Sequence, residues 1–313
     1  MKTCLVTGGT GFIGSALTRS LLEKGYNVRI LDDNSRGNFR RLSDVINSLD
    51  IREGDIRNAD LVSKSLVGVD VVVHLAYING TINFYERPRE VLDVAIVGMQ
   101  NVLAAMKVNN VPELYLASSS EVYQYPDIFP TPENVPLVVP DPFNPRYSYG
   151  LGKIVQEFMA IHADTFLNRL AIFRPHNVYG PDMGYQHVIP ELCAKIFKET
   201  SNRVLLKGDG SQSRSFCHIS DFVRGFELLL DADFERETFN LGTREEVSIL
   251  HIARIISSTL GRELEFDSSV APSGETNRRV PDISKIESLG FSQSVTLESG
   301  VRDYCNWYIS NSN

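Results

Sequence analysis

Two side chains four residues apart, Tyr149 and Lys153, carry the clearest chemistry in this 313-residue sequence. They lie in Pro145-Arg-Tyr-Ser-Tyr149-Gly-Leu-Gly-Lys153. In a helix they share one face, one turn apart. An ammonium that close to a phenol favours the phenolate. A tyrosine so tuned can take a proton from a substrate hydroxyl near neutral pH. By itself Tyr-x-x-x-Lys also describes two unrelated surface residues. It gains force if the chain supplies a dinucleotide site and a hydroxyl partner. A hydroxyl-rich run with one acid, Ser118-Ser119-Ser120-Glu121, comes after the strand-like Glu113-Leu-Tyr-Leu-Ala117. That places it at the ligand-facing edge of a parallel sheet. The competing reading is a serine-rich turn capping a helix.

The dinucleotide signal stands at the other end of the chain. A buried strand at residues 3–7 runs directly into Gly8-Gly-Thr-Gly11-Phe-Ile-Gly14. An amphipathic helix comes next, with Ile13, Leu17, Leu21 and Leu22 at helical spacing. Gly25 ends it, and a second strand, Val28–Leu31, reaches Asp32-Asp33. Glycines in that context let the backbone approach a pyrophosphate that rests on a helix N-terminus. An acid at Asp32 suits the adenosine ribose hydroxyls and repels a 2′-phosphate, which predicts NAD over NADP. Arg36 nearby weakens that preference slightly.

These groups need a scaffold, and the chain has the composition for one. Hydrophobic residues make up 42% and charged residues 22%, as in a soluble globular protein. The net charge of −8 argues against a broad nucleic-acid surface. The longest apolar runs fall short of a membrane span, and the N-terminus does not read as a signal peptide. Cys4, Cys193, Cys217 and Cys305 are scattered, with no metal-ligand spacing. They read as buried reduced thiols, which predicts a cytoplasmic protein with no metal. Val69–Ala76 is a buried strand of parallel-sheet type, with His74 as a core histidine. Residues 88–107 read as a long helix with Val91, Val94, Ala95, Val102 and Met106 on one face. Residues 124–146 hold many prolines and read as a loop. The alternation of strand and helix loosens after about residue 180. The expected architecture is α/β: a doubly wound parallel Rossmann sheet over 1–180 with 215–243 returning to it. A smaller mixed α/β substrate domain takes 181–214 and 244–313.

Nine segments together resemble the extended short-chain dehydrogenase/reductase family, specifically its NAD-dependent nucleotide-sugar epimerases, dehydratases and decarboxylases. They are Thr7–Gly14, Leu31-Asp-Asp-Asn-Ser, Gly54-Asp-Ile-Arg57, His74-Leu-Ala76, Ser118–Tyr123, Tyr149-x-x-x-Lys153, Arg174-Pro-His-Asn-Val-Tyr-Gly-Pro181, Gly208–Phe216 and Arg279-Val-Pro-Asp-Ile283. They occur in family order and cover nearly the whole chain. The resemblance implies NAD contacts by Gly8, Gly11, Phe12, Ile13, Gly14, Asp32, Asn34, Ser35, Asp55, Ile56, Leu75, Ala76, Tyr149 and Lys153. It implies that Tyr149 deprotonates a sugar 4-hydroxyl as C4 gives hydride to NAD. Ser119 would hydrogen-bond that oxygen, and Lys153 would bind the nicotinamide ribose. Asn177, Arg214, Arg279 and His176 match substrate positions, the arginines suiting a diphosphate.

The fate of the C4 ketone depends on Ser120 and Glu121. Simple 4-epimerases usually have small or neutral groups there; the lyases of the family tend to carry an acid. Glu121 is thus a candidate acid/base, against a role as a cap. Other segments resemble the GDP-mannose 3,5-epimerase branch, which has a cysteine where this chain has Glu121; His187 joins His176 as a further acid/base candidate. One departure is Ala95, where the family usually has an asparagine that helps hold the lysine. The resemblance implies a homodimer through helices 88–107 and 149–163. The expected function is epimerisation of a nucleotide-diphospho-sugar through a 4-keto intermediate. The alternatives are 4,6-dehydration or decarboxylation using Glu121, and a non-catalytic NAD-binding regulator.

Overall fold

The computed structural model of the chain describes residues 1–163, 166–270 and 276–312. Seven strands form one sheet. From edge to edge they are Leu49–Glu53, Asn27–Asp32, Thr3–Thr7, Val71–His74, Glu113–Ala117, Arg169–Pro175 and Arg236–Leu241. The five pairings from Leu49–Glu53 across to Arg169–Pro175 are parallel. The chain starts mid-sheet, builds outward to Leu49–Glu53, then crosses back and builds the other way, which is the doubly wound order.

The strands are apolar because both sheet faces are covered. On one face Leu5, Val72, Leu114, Leu116 and Ile172 join a core with Val91, Met99, Val102 and Met106 of the helix Pro88–Val108. On the other, Tyr115 and Phe173 each meet the ring of Phe226 edge-on, at 5.6 and 5.5 Å. The helix Phe12–Glu23 lies on this second side, where Ser20 donates to Glu227 at 2.7 Å.

The chain divides into two compact units. The first holds 1–124, 136–175 and 225–239; the second holds 125–135, 176–224 and 240–313. Residues 125–135, 176–180, 215–224 and 240–243, expected with the first part, pack in the second. The reason lies in backbone pairing: Thr131 donates to Val280 O at 2.8 Å, Asp282 donates to Thr131 O at 2.9 Å, and His176 donates to Leu241 O at 2.9 Å. The second unit carries small sheets, among them Ser213–Ser215 between Glu246–Ser248 and Arg278–Arg279.

The expectation that no apolar run reaches the length of a membrane span is corrected here. By length and apolarity Pro88–Val108 meets that requirement. Eight of its residues are nevertheless buried in the protein, because it packs against both Ala59–Ser65 and Ser148–Ile161. A helix with neighbours on two sides is apolar over a wide arc.

Candidate active site

The glycine turn is built by close approach. Gly8 has φ +75°, and a Cβ there would stand 2.8 Å from the Ala76 backbone nitrogen. A Cβ on Gly14 would stand 2.0 Å from the Gly8 carbonyl oxygen. The turn ends at Gly11, the residue before the helix Phe12–Glu23, with Phe12 and Ile13 in its first turn. Thr7 Oγ1 accepts the backbone N–H groups of Leu75 and Ala76, both at 3.2 Å, so two neighbouring strand ends are tied together. Asp32 is buried at the end of its strand and accepts from Thr10 N and Asn34 N, each at 2.9 Å. Ser35 donates from N and Oγ to Asp33. Asp55 is held by Arg57, and Ile56 is a core side chain whose carbonyl accepts from Asn101 at 3.0 Å. For Asp55, burial opposes the charge but Arg57 wins, keeping the carboxyl below its usual range.

Tyr149 and Lys153 fall on one helix, Ser148–Ile161, as their spacing requires. Asn144 starts the approach by accepting from Arg146 N at 3.0 Å, and a short turn, Pro145–Tyr147, feeds the helix. The Tyr149 ring stacks on Phe84 at 4.8 Å and meets Tyr77 edge-on at 5.0 Å. Tyr77 donates to the Tyr149 carbonyl at 3.3 Å. Arg36 lies close enough for its charge to interact with Tyr149; burial lowers the arginine's pKa, and Tyr149 offsets part of this.

Lys153 is 2% exposed. Its ammonium donates to Ala117 O at 2.7 Å and to Gln156 Oε1 at 3.1 Å, and sits 4.0 Å from the centre of the Tyr77 ring. Burial pushes its pKa down to about 7, with the charge of Glu157 offsetting part of the shift. His74 is fully buried beside this group, and burial, with the Lys153 charge, lowers it to about 3, so it is neutral at pH 7.

The serine run lies at the end of Glu113–Ala117. Ser119 accepts from Glu121 N at 3.1 Å and so caps the turn Ser120–Val122; the serine, not Glu121, is the cap. Ser120 is buried. Glu121 Oε2 faces Arg146 Nη1 at 3.6 Å, and both side chains are mostly buried. Ser118 donates to Glu157, which is gripped by Arg174 at 2.9 and 2.6 Å; Arg174 also donates to Tyr123 Oη at 2.7 Å. Burial opposes the Arg174 charge, but the bonds from Glu157 win and raise its pKa.

In the second unit, Arg214 and Arg279 occupy register partners on adjacent strands. Both are nearly buried and both donate to Thr276, Arg214 to its carbonyl and Arg279 to its hydroxyl at 3.1 Å. Asn177, at φ 39°, donates to Ser215 O at 2.8 Å. His176 is fully buried with Nε2 3.2 Å from Asn240 Oδ1, and His187 precedes the helix Val188–Lys198. All four cysteines are buried, and Cys193 and Cys305 come together with sulfurs 3.8 Å apart.

Sequence reasoning left out Tyr77, Phe84, Arg146, Gln156 and Glu157. Arg146, Gln156 and Glu157 had one available signal: each lies on the helical face of Tyr149 and Lys153 or one turn from it. Nothing in the spacing points to Tyr77 or Phe84, which are brought in from a different segment.

Residues 4–242 match the model of the NAD dependent epimerase/dehydratase family. A protein of Methanocaldococcus jannaschii, provisionally assigned as a UDP-glucose 4-epimerase, is 33% identical, with 98% of each chain covered. The UDP-N-acetyl-alpha-D-glucosaminuronate decarboxylase of Bacillus cytotoxicus is 30% identical, again with 98% of each covered. The structure of the Streptomyces venezuelae dTDP-glucose 4,6-dehydratase, with NAD and TYD bound, superposes with a TM-score of 0.87 at 28% identity, covering 99% of this chain and 97% of that one.

Two predictions come from this geometry. Removing one partner of a buried ion pair strands the other, so Glu157→Ala is expected to cost about 3–5 kcal/mol in urea unfolding; replacing Glu157 and Arg174 together by Met is expected to cost less. For Lys153, the folded chain releases a proton near pH 7 that the unfolded chain holds up to the ordinary lysine value near 10.5. Between those values the unfolded state binds more protons, so this group makes stability rise with pH through that window. Lys153→Met is expected to remove that slope, read as the difference between the two proteins in unfolding free energy from pH 7 to 10.

Proposed function

The chain belongs to the NAD dependent epimerase/dehydratase family and is an NAD-dependent enzyme, and we propose that it epimerises a nucleotide-diphospho-sugar through a C4 ketone. The residues at the glycine turn fit the cofactor. Among the described residues, Thr10 Oγ1 in that turn and Asn34 Oδ1, just past the strand that ends at Asp32, are buried without a hydrogen-bond partner. Gly8 and Gly14 leave no room for a side chain where a pyrophosphate needs backbone contact. Gly11, Phe12 and Ile13 would hold the pyrophosphate, and Asp32, Asn34 and Ser35 the adenosine ribose. NAD, bound there, would supply a hydride acceptor and donor for the sugar C4.

The chain's own residues then have distinct tasks. Tyr149 takes the proton of the sugar 4-hydroxyl, and Ser119 hydrogen-bonds the same oxygen. Lys153, fixed in a dry pocket one turn away, supports negative charge on Tyr149. In the second unit the paired guanidiniums of Arg214 and Arg279 suit a diphosphate; Asn177 bonds Ser215, the residue after Arg214, and His176 precedes Asn177 in the chain. UDP-sugars are the first to test, because the Methanocaldococcus and Bacillus relatives both carry UDP in their names.

The observation that carries epimerisation over elimination is the partner of Glu121. Its carboxylate is engaged by Arg146, and a pure 4-epimerase needs no second base. A second reading rests on the same residue: a mostly buried carboxylate at this place, released from Arg146 by substrate, would act as acid/base in 4,6-dehydration or decarboxylation.

Glu121→Gln is the deciding variant. As an epimerase it is expected to keep kcat within a few-fold of the parent, with no solvent deuterium in the product by NMR. A loss of about 10²–10⁴ in kcat, the range of a general acid or base, or deuterium at C6, would favour the lyase reading. Tyr149→Phe is expected to abolish turnover in either case while NAD stays bound. If neither parent nor variant turned over any nucleotide sugar, the regulator reading would stand instead.

We also propose a homodimer through Pro88–Val108 and Ser148–Ile161. These helices pack together and leave Val97, Phe158 and Ile161 exposed. Light scattering is expected to give twice the 35.0 kDa chain mass, and Phe158→Asp is expected to return the monomer.

A further inference from the structure

We infer that Gln156 is the positioning residue for Lys153, and that it ties the lysine through His74 to the strand that carries the glycine turn. The inference rests on the roles proposed for Tyr149 and Lys153, and goes beyond them.

Gln156 lies three residues after Lys153 on the same helix and is completely buried. Its two amide atoms face opposite demands. One side meets the Lys153 ammonium, which can only donate, at 3.1 Å. The other meets the carbonyl of Ala95, which can only accept, at 3.3 Å. These neighbours leave a single orientation, with oxygen toward the lysine and nitrogen toward the carbonyl. Residue 95 is an alanine, so Pro88–Val108 offers the lysine no side chain at this point, only a backbone oxygen. Gln156 bridges the two, accepting from the ammonium and donating to that oxygen.

The same amide nitrogen stands 3.4 Å from His74 Nε2. The other ring nitrogen, Nδ1, lies 2.7 Å from Thr7 Oγ1, which accepts from Leu75 N and Ala76 N. Thr7, His74, Gln156 and Lys153 thus form one buried chain of polar groups, starting next to Gly8 and ending at the ammonium. Each is less than 3% exposed. The titratable groups around the ammonium are His74, Tyr77 and Glu157. Buried polar chains of this kind hold only if every member is satisfied, so losing one amide loosens the lysine rather than rewiring it.

Gln156→Met keeps the volume and removes both amide functions. It is expected to lower kcat about 10-fold with little change in KM, as a lost hydrogen bond to a charged group would. The acid limb of the kcat profile is expected to move to higher pH, because less positive charge then supports Tyr149. NAD affinity, measured by titration calorimetry, is expected to weaken about 10-fold. Moving the amide across the helix pair, in Ala95→Asn with Gln156→Ala, is expected to recover much of the loss relative to Gln156→Ala alone. A fourth readout needs no substrate: the ¹⁵N NMR shifts of the His74 ring are expected to change in Gln156→Met. A folded Gln156→Met protein with an unchanged pH profile and NAD affinity would overturn the inference, as would His74 ring shifts left unchanged by the substitution. If the parent turned over no nucleotide sugar, the proposed epimerisation would fail alone, and the NAD affinity and His74 ring shifts would still decide the role of Gln156.

Discussion

A lysine ammonium shut away from water is the constraint on which the first unit turns. Burying a charge is costly unless donors and acceptors replace its hydration. Lys153 has such replacements from three places: the carbonyl of Ala117 at a strand end, the amide of Gln156 on its own helix, and the face of Tyr77. Each must be in position before the lysine can be buried at all. The requirement therefore fixes the helix Ser148–Ile161 against the sheet edge, and with it the ring of Tyr149 one turn away.

The helix is seated by a second buried charge pair. Arg174, at the end of its strand, grips Glu157, and Glu157 also receives Ser118 from the neighbouring strand. Two strand ends and the helix are thereby joined by charge-assisted bonds, which are shorter and more directional than neutral ones. The serine run is held next to the tyrosine by this junction. Gly150 and Gly152 complete the fit on the helix side. A Cβ at 150 would meet Glu121 O at 2.9 Å, and one at 152 would meet Tyr77 Oη at 2.0 Å. The two glycines in Tyr149-Gly-Leu-Gly-Lys153 are thus contact surfaces for the groups that flank the tyrosine.

Much of this architecture is legible in the sequence. The strand, glycine turn, helix, strand and acid of residues 3–32 are where the sequence places them, because each is a local pattern of apolar spacing and turn residues. Ser148–Ile161 is legible for the same reason. The limits of the two units are less so: residues 125–135 read as a loop of the first part, but Thr131 pairs with residues near 281, far along the chain. The length of Pro88–Val108 is legible, but its apolar character comes from neighbours on two sides.

The sequence by itself determined the order of the elements, the family, the cofactor and the sharing of one helical face by Tyr149 and Lys153. These depend on covalent spacing, which sets which side chains share a face within a turn or two. Only the tertiary structure decided what those side chains touch. That Lys153 meets Gln156 and Ala117, that Glu121 faces Arg146, that Arg214 and Arg279 meet at Thr276, and that Cys193 lies beside Cys305 all depend on packing. Most of these pairs join residues tens to more than a hundred positions apart, and no local pattern records such a pairing. Even the near one, Lys153 with Gln156, required the carbonyl of Ala95 and the ring of His74 to orient the amide.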